Sequence, residues 1–218
     1  MNEDVVIRLM TEREDVERQA RAHCEANDGK RAATILIEAY GREIRGFLVS
    51  RLGCRDEATE VFSAFAEDLW RGLDSFRWQC SARVWLYTLA RHAASRHVRD
   101  VRKRRARSVP LSQAGPLPEI QQAVRTATLV SAQTESRSRA AKLRETLPLD
   151  DQTLLILRVN RKLGWKEIAQ VMTYEGEVVP EAKLEKEVVR LRKRYQLVTE
   201  RLHRLAVEQG LVPPKHEG

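Results

Sequence analysis

The sequence predicts an all-α protein built as two small helical domains joined by a flexible linker, the second containing a helix-turn-helix. Three observations carry that expectation. Glycine and proline are sparse, 10 and 7 of 218 residues. Apolar residues recur at spacings of three and four, the helical period, rather than at the spacing of two that strands need. One segment breaks the pattern: SVPLSQAGPLPEI, from Ser108 to Ile120, gathers three prolines, a glycine and serines, which is linker chemistry. The polar stretch after it, TATLVSAQTESRSRAA, is at best weakly helical. The domains therefore fall at residues 1–107 and 140–218, with the linker at 108–139. A hydrophobic content of 42% argues against disorder.

The first helix is expected to run to about Glu25, where Asn27, Asp28 and Gly29 supply a stop and a cap. The second carries Ile35, Leu36, Ala39, Tyr40, Ile44, Phe47 and Leu48 on one face and ends in a turn at Gly53. The third, DEATEVFSAFAEDLWRGL, is acidic on its outward side through Glu57, Glu60, Glu67 and Asp68. An acidic helix beside a basic one, in a chain of net charge +8, suggests two surfaces for two different partners.

That basic helix is SARVWLYTLARHAASRHVRDVRKRRAR, from Ser81 to Arg107. Leu86, Leu89, Ala90, Ala93, Ala94, His97, Val98 and Val101 form one apolar face. The other face holds Thr88, Arg91, His92, Ser95, Arg96, Arg99, Arg102 and Lys103. A charged face of this kind is equally a solvated one. Two features favour a polyanion: Asp100 is the lone acid near the stripe, and the loop FRWQCS precedes it. Trp78 and Gln79 in that loop sit beside a positive track, the arrangement that stacks an unstacked base. The bland reading makes Trp78, Trp85 and Tyr87 core or half-buried residues, and for Trp85 the core reading is preferred.

In the second domain Leu154, Leu155, Leu157 and Val159 mark an apolar helix, Leu163 and Gly164 a turn, and WKEIAQVM a short helix. A short helix with Ile168 and Ala169 after a turn containing glycine is half of a helix-turn-helix, a weak signal by itself. After TYEGEVVPEAK comes a long helix in which Leu184, Val188, Leu191, Tyr195, Val198, Leu202 and Leu205 form a seam. Arg190, Arg192, Lys193, Arg194, Gln196 and Arg201 flank it. The seam is compatible with a short coiled coil, but its basic flank favours a recognition helix packed on its own domain.

Several classes are disfavoured. Cys24, Cys54 and Cys80 lack the spacing of a zinc or redox motif. His92 and His97 have no acids or cysteines placed to complete a metal site, and no nucleophile motif or Gly-rich phosphate loop appears, so neither an enzyme nor a cofactor is expected. No leader-like segment and no run of eighteen or so apolar residues occurs, which points to the cytoplasm.

FRWQCSARVWLYTLARHAASRHVRDVRKRR resembles the second conserved region of bacterial RNA polymerase sigma factors of the extracytoplasmic-function type, where an F-R … A-W-L-Y-x-I-A-R-N segment leads into an arginine-rich helix. LPLDDQTLLILRVNRKLGWKEIAQVM resembles their fourth region, with its LP … L … L … EIA pattern. Together the two cover roughly Arg31 to Arg107 and Ala140 to Ala206. The resemblance implies that Glu57, Glu60, Asp68 and Trp70 hold core RNA polymerase. It implies that Trp78 and Gln79, with Arg83, Arg91, His92, Ser95 and Arg96, recognise and open the −10 element of promoter DNA. It also implies that Arg192, Lys193 and Arg194 contact the −35 element, and that an anti-sigma factor is a further partner. The chain departs from the family pattern at Ser63 and Ala64, where a glutamine and an acid are usual, and in the longer turn from Thr173 to Leu184. From other classes, a helix-turn-helix repressor that works without polymerase and a helical protein-binding adaptor remain alternatives.

Overall fold

Asp28 begins the main helical unit: its side chain accepts a hydrogen bond from Arg31 N–H at 3.1 Å, the N-cap geometry that the Asn27-Asp28-Gly29 stop anticipates. The computed structural model describes residues 3–107, 142–144, 146–175 and 179–213, with side chains in the first stretch described over 11–104. The linker assigned to 108–139 lies outside the described residues. In chain order the helices are α1 Glu3–Glu25, α2 Gly29–Leu52, α3 Arg55–Gly72, a 3-10 turn Leu73–Ser75, and α4 Ala82–Arg107. Then come α5 Leu149–Leu155, a π-helical turn Ile156–Asn160, α6 Trp165–Thr173 and α7 Glu181–Glu208. The protein is all-α. Gly53 closes α2 at φ 72°, in the left-handed region where a side chain would be strained, and its N–H bonds Val49 O.

α2 packs against α1 and α3, and α4 lies across α2 and α3. Leu36, Ile44, Phe47 and Leu48 of α2 meet Val61, Phe65 and Leu69 of α3 and Leu86, Tyr87 and Ala90 of α4 in one core. The Phe47 ring meets Tyr87 edge-on with centroids 5.3 Å apart. Phe76 stacks on Trp85 at 4.2 Å and 7°, and Trp85 is buried. Ala39, expected on the inward face, is exposed. The buried stripe of α2 runs instead through Ala32, Ala33, Leu36, Tyr40, Ile44 and Phe47, which leaves position 39 at its edge.

The core does not stop at α4. Leu154, Ile156 and Leu157, then Leu163, Ile168, Ala169 and Val171, then Leu184 and Leu191 continue the same cluster. α6 rests on α4, and the π-helical turn rests on α2. The cause is legible in α4: residues Ala82 to Thr88 are buried on every side. A helix apolar all round needs cover all round. The expected two-faced helix therefore holds only from about Leu89 onward. A smaller cluster of Leu147, Leu155 and Val198, flanked by Tyr195 and Leu202, joins α5 to α7. Leu184, Leu191 and Val198 are the buried knobs of the α7 seam. Val159, placed on the apolar face by sequence, is exposed. The π-helical turn, closed by Arg161 N–H to Ile156 O at 3.0 Å, inserts an extra residue per turn and rotates the chain beyond Leu157 outward.

One continuous core implies one cooperative transition. Leu86→Ala in α4 and Ile168→Ala in α6, each removing a buried side chain, should each cost about 2–5 kcal/mol. Both should lower the same calorimetric peak, and two separable peaks would contradict this.

Candidate nucleic-acid interface

The helix with the basic stripe begins in the interior. Arg83 is only 5% exposed, and its guanidinium forks onto Glu43 of α2, with Nε donating at 3.2 Å and Nη2 closing the second bond. Nη1 donates to Glu167 of α6 at 3.3 Å, and Nη2 also reaches Arg161 O at 3.3 Å. Tyr87 Oη donates to Glu43 at 2.7 Å. Burial by itself would push the Glu43 carboxyl up, but the Arg83 guanidinium and the Tyr87 hydroxyl hold it below the usual carboxylate range. Burial, together with the Glu43 charge, pushes the Tyr87 phenol far above its ordinary value.

Arg51 makes a second cross-link between the two halves of the chain. From α2 it donates to Leu149 O at 2.9 Å, to Thr153 Oγ1 and to Ser95 Oγ at 3.1 Å. Among the described residues it holds no carboxylate directly. Burial pulls its pKa down to about 10, Asp150 opposing and Arg91 adding to the fall. Arg144 donates to Ser50 O at 3.0 Å.

The predicted −10 residues divide into covered and open sets. Arg83 is interior. Arg91 is half-buried, with Nη2 2.9 Å from His92 Nε2, and Ser95 is held between Arg51 Nη2 and Arg91 O. Arg96 pairs with Asp68, while Arg99, Arg102 and Lys103 are exposed. Trp78 is half-buried against Phe76, with ring centroids 4.9 Å apart. Its φ of 55° is an outlier for a bulky side chain and costs on the order of 1–3 kcal/mol. Gln79 is exposed beside a cleft shared with Lys166, Gln170, Tyr174 and Pro180.

The other predicted sites are similarly split. On α3, Glu57 lies 3.6 Å from His97 and Asp68 holds Arg96, so these two acids face α4. Glu60 is open, and Trp70 is 53% exposed. On α7, Arg192, Lys193 and Gln196 are exposed, Arg190 pairs with Glu187 at 3.3 Å, and Arg194 is tied to Asp151. The guanidinium groups of Arg158 and Arg192 lie over the Trp165 ring, 4.8 Å and 5.8 Å from its centroid. Sequence reasoning missed Glu43, Arg51 and Glu167. Their signal was a charge placed three or four residues from buried apolar positions: Arg51 after Phe47 and Leu48, Glu43 before Phe47. No group of residues able to hold a metal occurs among the described residues. The Cys80 thiol is pushed up to about 11 by burial.

Residues 36–105, which carry most of α2, all of α3, the 76–81 loop and nearly all of α4, match the family Sigma-70 region 2. The segment that bears the basic stripe is thus similar to a sigma region 2. The chain is similar to the sigma factor RpoE in its complex with the anti-sigma factor NepR from Bartonella quintana, at 19% identity and a TM-score of 0.43, over 79% of this chain and 97% of that one. At that TM-score the likeness carries nothing about how these helices sit together. No curated protein matches the sequence. Among the described residues no helix is long and apolar enough to cross a membrane.

Two outcomes follow from the charges between the halves. Arg83→Met strands Glu43 and should lower stability by about 3–5 kcal/mol. Glu167→Gln removes a partly exposed pair, should cost no more than about 1 kcal/mol, and should raise the population of separated halves in a fluorescence distance measurement between dyes on α3 and α7. The His92 imidazole pKa is pulled down by burial and by Arg91 and Arg96, so folding favours the neutral ring. Stability from this residue is complete above the ordinary value of about 6.5 and is lost as pH falls below it. His92→Gln should flatten that part of the urea-midpoint profile between pH 7.5 and 5.

Proposed function

We propose that the protein is a sigma factor of the extracytoplasmic-function type that acts without catalysis or a cofactor, in the cytoplasm, as the promoter-specificity subunit of core RNA polymerase. The observation that carries the reading is the coincidence of the Sigma-70 region 2 match with an exposed basic run, Arg99, Arg102 and Lys103, on the helix that follows the Trp78 loop. Such a run meets successive phosphates, and an aromatic loop beside it receives a base once that base has left the duplex. The open residues of α3, Glu60 and Trp70, form the proposed polymerase contact. The exposed residues of α7, Arg192, Lys193 and Gln196, form the proposed −35 contact, with α5, its turn and α6 as the supporting helix-turn-helix.

Arg83 is buried against Glu43 and Glu167, Arg91 is half-buried, and Ser95 is held by Arg51, which itself bonds Leu149 O; these contacts support a closed state that precedes promoter engagement. In the proposed sequence of events the 140–218 unit leaves the 1–107 unit when core polymerase binds, with residues 108–139 as the tether. Departure uncovers Arg51, Arg91 and Ser95 together, so one movement enlarges the phosphate-binding face of α4.

The test is co-purification with core polymerase followed by run-off transcription. Glu60→Lys with Trp70→Ala should abolish co-purification while leaving helicity unchanged. Arg99→Ala with Arg102→Ala should leave core binding intact, weaken duplex promoter binding, and flatten the salt dependence by about 0.9 in slope per lost phosphate contact. A wild-type chain that binds duplex DNA but never core polymerase would instead be a helix-turn-helix repressor.

A further inference from the structure

α2 and α3 enclose a cleft of about 500 Å³, lined by Arg42, Arg45, Gly46 and Val49 of the first helix and by Arg55 and Thr59 of the second. Arg42, Arg45 and Val49 recur at three and four residues along α2, and Arg55 and Thr59 stand one turn apart on α3, so each helix presents one face to the same hollow. Three exposed arginines from two helices therefore meet there. Arg45 Nη2 donates to Thr59 Oγ1 at 3.3 Å, and that hydroxyl donates onward to Arg55 O at 2.9 Å. Among the described residues no carboxylate pairs with Arg42, Arg45 or Arg55.

A fourth cation borders the cleft from the other half of the chain. Arg161, which follows the π-helical turn, lays its guanidinium against Gly46 so closely that a Cβ there would stand 2.6 Å from Nη2. Its Nε is buried without a hydrogen-bond partner among the described residues. Four like charges gathered without an acid repel one another, and water and salt screen that repulsion only in part. A multivalent anion would remove it.

The form of the cleft selects among anions. Guanidinium forks match the oxygens of phosphate with paired, charge-assisted hydrogen bonds, and the volume falls within the roughly 300–1,000 Å³ of small-ligand sites. No aromatic side chain lines it, so nothing there stacks a base and recognition falls on the phosphates. On α4 the exposed cations Arg99, Arg102 and Lys103 are strung along one helix, a spacing that tracks a DNA backbone. Around Gly46 they surround one hollow, which suits a compact ligand.

We propose that the α2–α3 cleft is a binding site for the phosphate chain of a small polyphosphate, held by Arg42, Arg45 and Arg55. It uses none of the residues assigned above to DNA or polymerase. Its test needs neither polymerase nor promoter, so it stands or fails apart from the sigma-factor reading.

The experiment titrates inorganic triphosphate and ATP into the full chain by calorimetry, at the ionic strength of about 0.15 M where exposed charges are well screened. The variants are Arg42→Gln, Arg45→Gln, Arg55→Gln and, as a control of equal charge loss at another surface, Arg99→Gln with Arg102→Gln. Each cleft substitution should weaken triphosphate binding about tenfold, the scale of one lost charge-assisted hydrogen bond, with circular dichroism and thermal midpoint unchanged. Binding of a duplex oligonucleotide should stay at the wild-type level in the cleft variants. The control pair should lose duplex affinity and keep its affinity for triphosphate. ATP and inorganic triphosphate should bind alike.

A wild-type chain that takes up no triphosphate overturns the inference. Equal losses in the control pair overturn it too, because net charge alone would then attract the anion. If the cleft variants lose duplex binding as steeply as triphosphate binding, the arginines belong to a DNA surface instead. ATP binding more than about tenfold tighter than triphosphate, the scale of a stacked base, would place the ligand at an aromatic site and not in this cleft.

Discussion

Arg83 stands where three parts of the chain meet, and the arrangement of the whole molecule depends on how its charge is satisfied. It projects from the first turn of α4 into a region closed by α2 and α6, and it is matched there by Glu43, Glu167 and the Arg161 carbonyl. A guanidinium taken out of water needs a partner for nearly every donor. Glu43 alone fills one edge of the fork, and the remaining donors require the C-terminal helices. The apolar surface of α4 drives those helices onto it, while the arginine specifies how they sit.

The same economy explains why one helix holds two roles. From Ala82 to Thr88, α4 is core on all sides, and from Arg96 to Lys103 it is largely a basic surface. The change occurs at Arg91, His92 and Ser95, which are half-buried between the two regimes. There cations crowd: Arg91 depresses the charged state of both Arg51 and His92, and among the described residues neither arginine holds a carboxylate directly. Burying like charges is tolerable because the apolar contacts of α5 and α6 outweigh the cost. A polyanion would remove that cost. The interface is thus bound by hydrophobic contact and weakened by the groups suited to bind phosphate.

The loop before α4 shows a related conflict between local preference and context. Trp78 adopts a backbone conformation that its side chain disfavours, held between the stacked pair Phe76 and Trp85 on one side and the Ser81-capped N-terminus of α4 on the other.

The sequence by itself determined the helices and their limits. Spacing of apolar residues placed α2 and α7. Asp28 and Gly53 marked the ends of α2 by the chemistry of capping, and the FRWQCS loop with its arginine-rich helix carried the likeness to sigma region 2. These signals are local, set by residues within a few turns of one another. Only the tertiary structure decided which side chains on those helices face water. Arg91 and Ser95 read as a continuous stripe with Arg99 and Arg102, yet the first two are half-buried, with Ser95 held by Arg51 of α2, while the last two are exposed. Glu57 and Asp68 read as an outward acidic face, yet they turn to His97 and Arg96. A helical period fixes the faces of a helix but not the number of neighbours that cover them. Around α4 stand α2, α3 and α6, because Trp85, Leu86 and Tyr87 in succession leave no side for solvent.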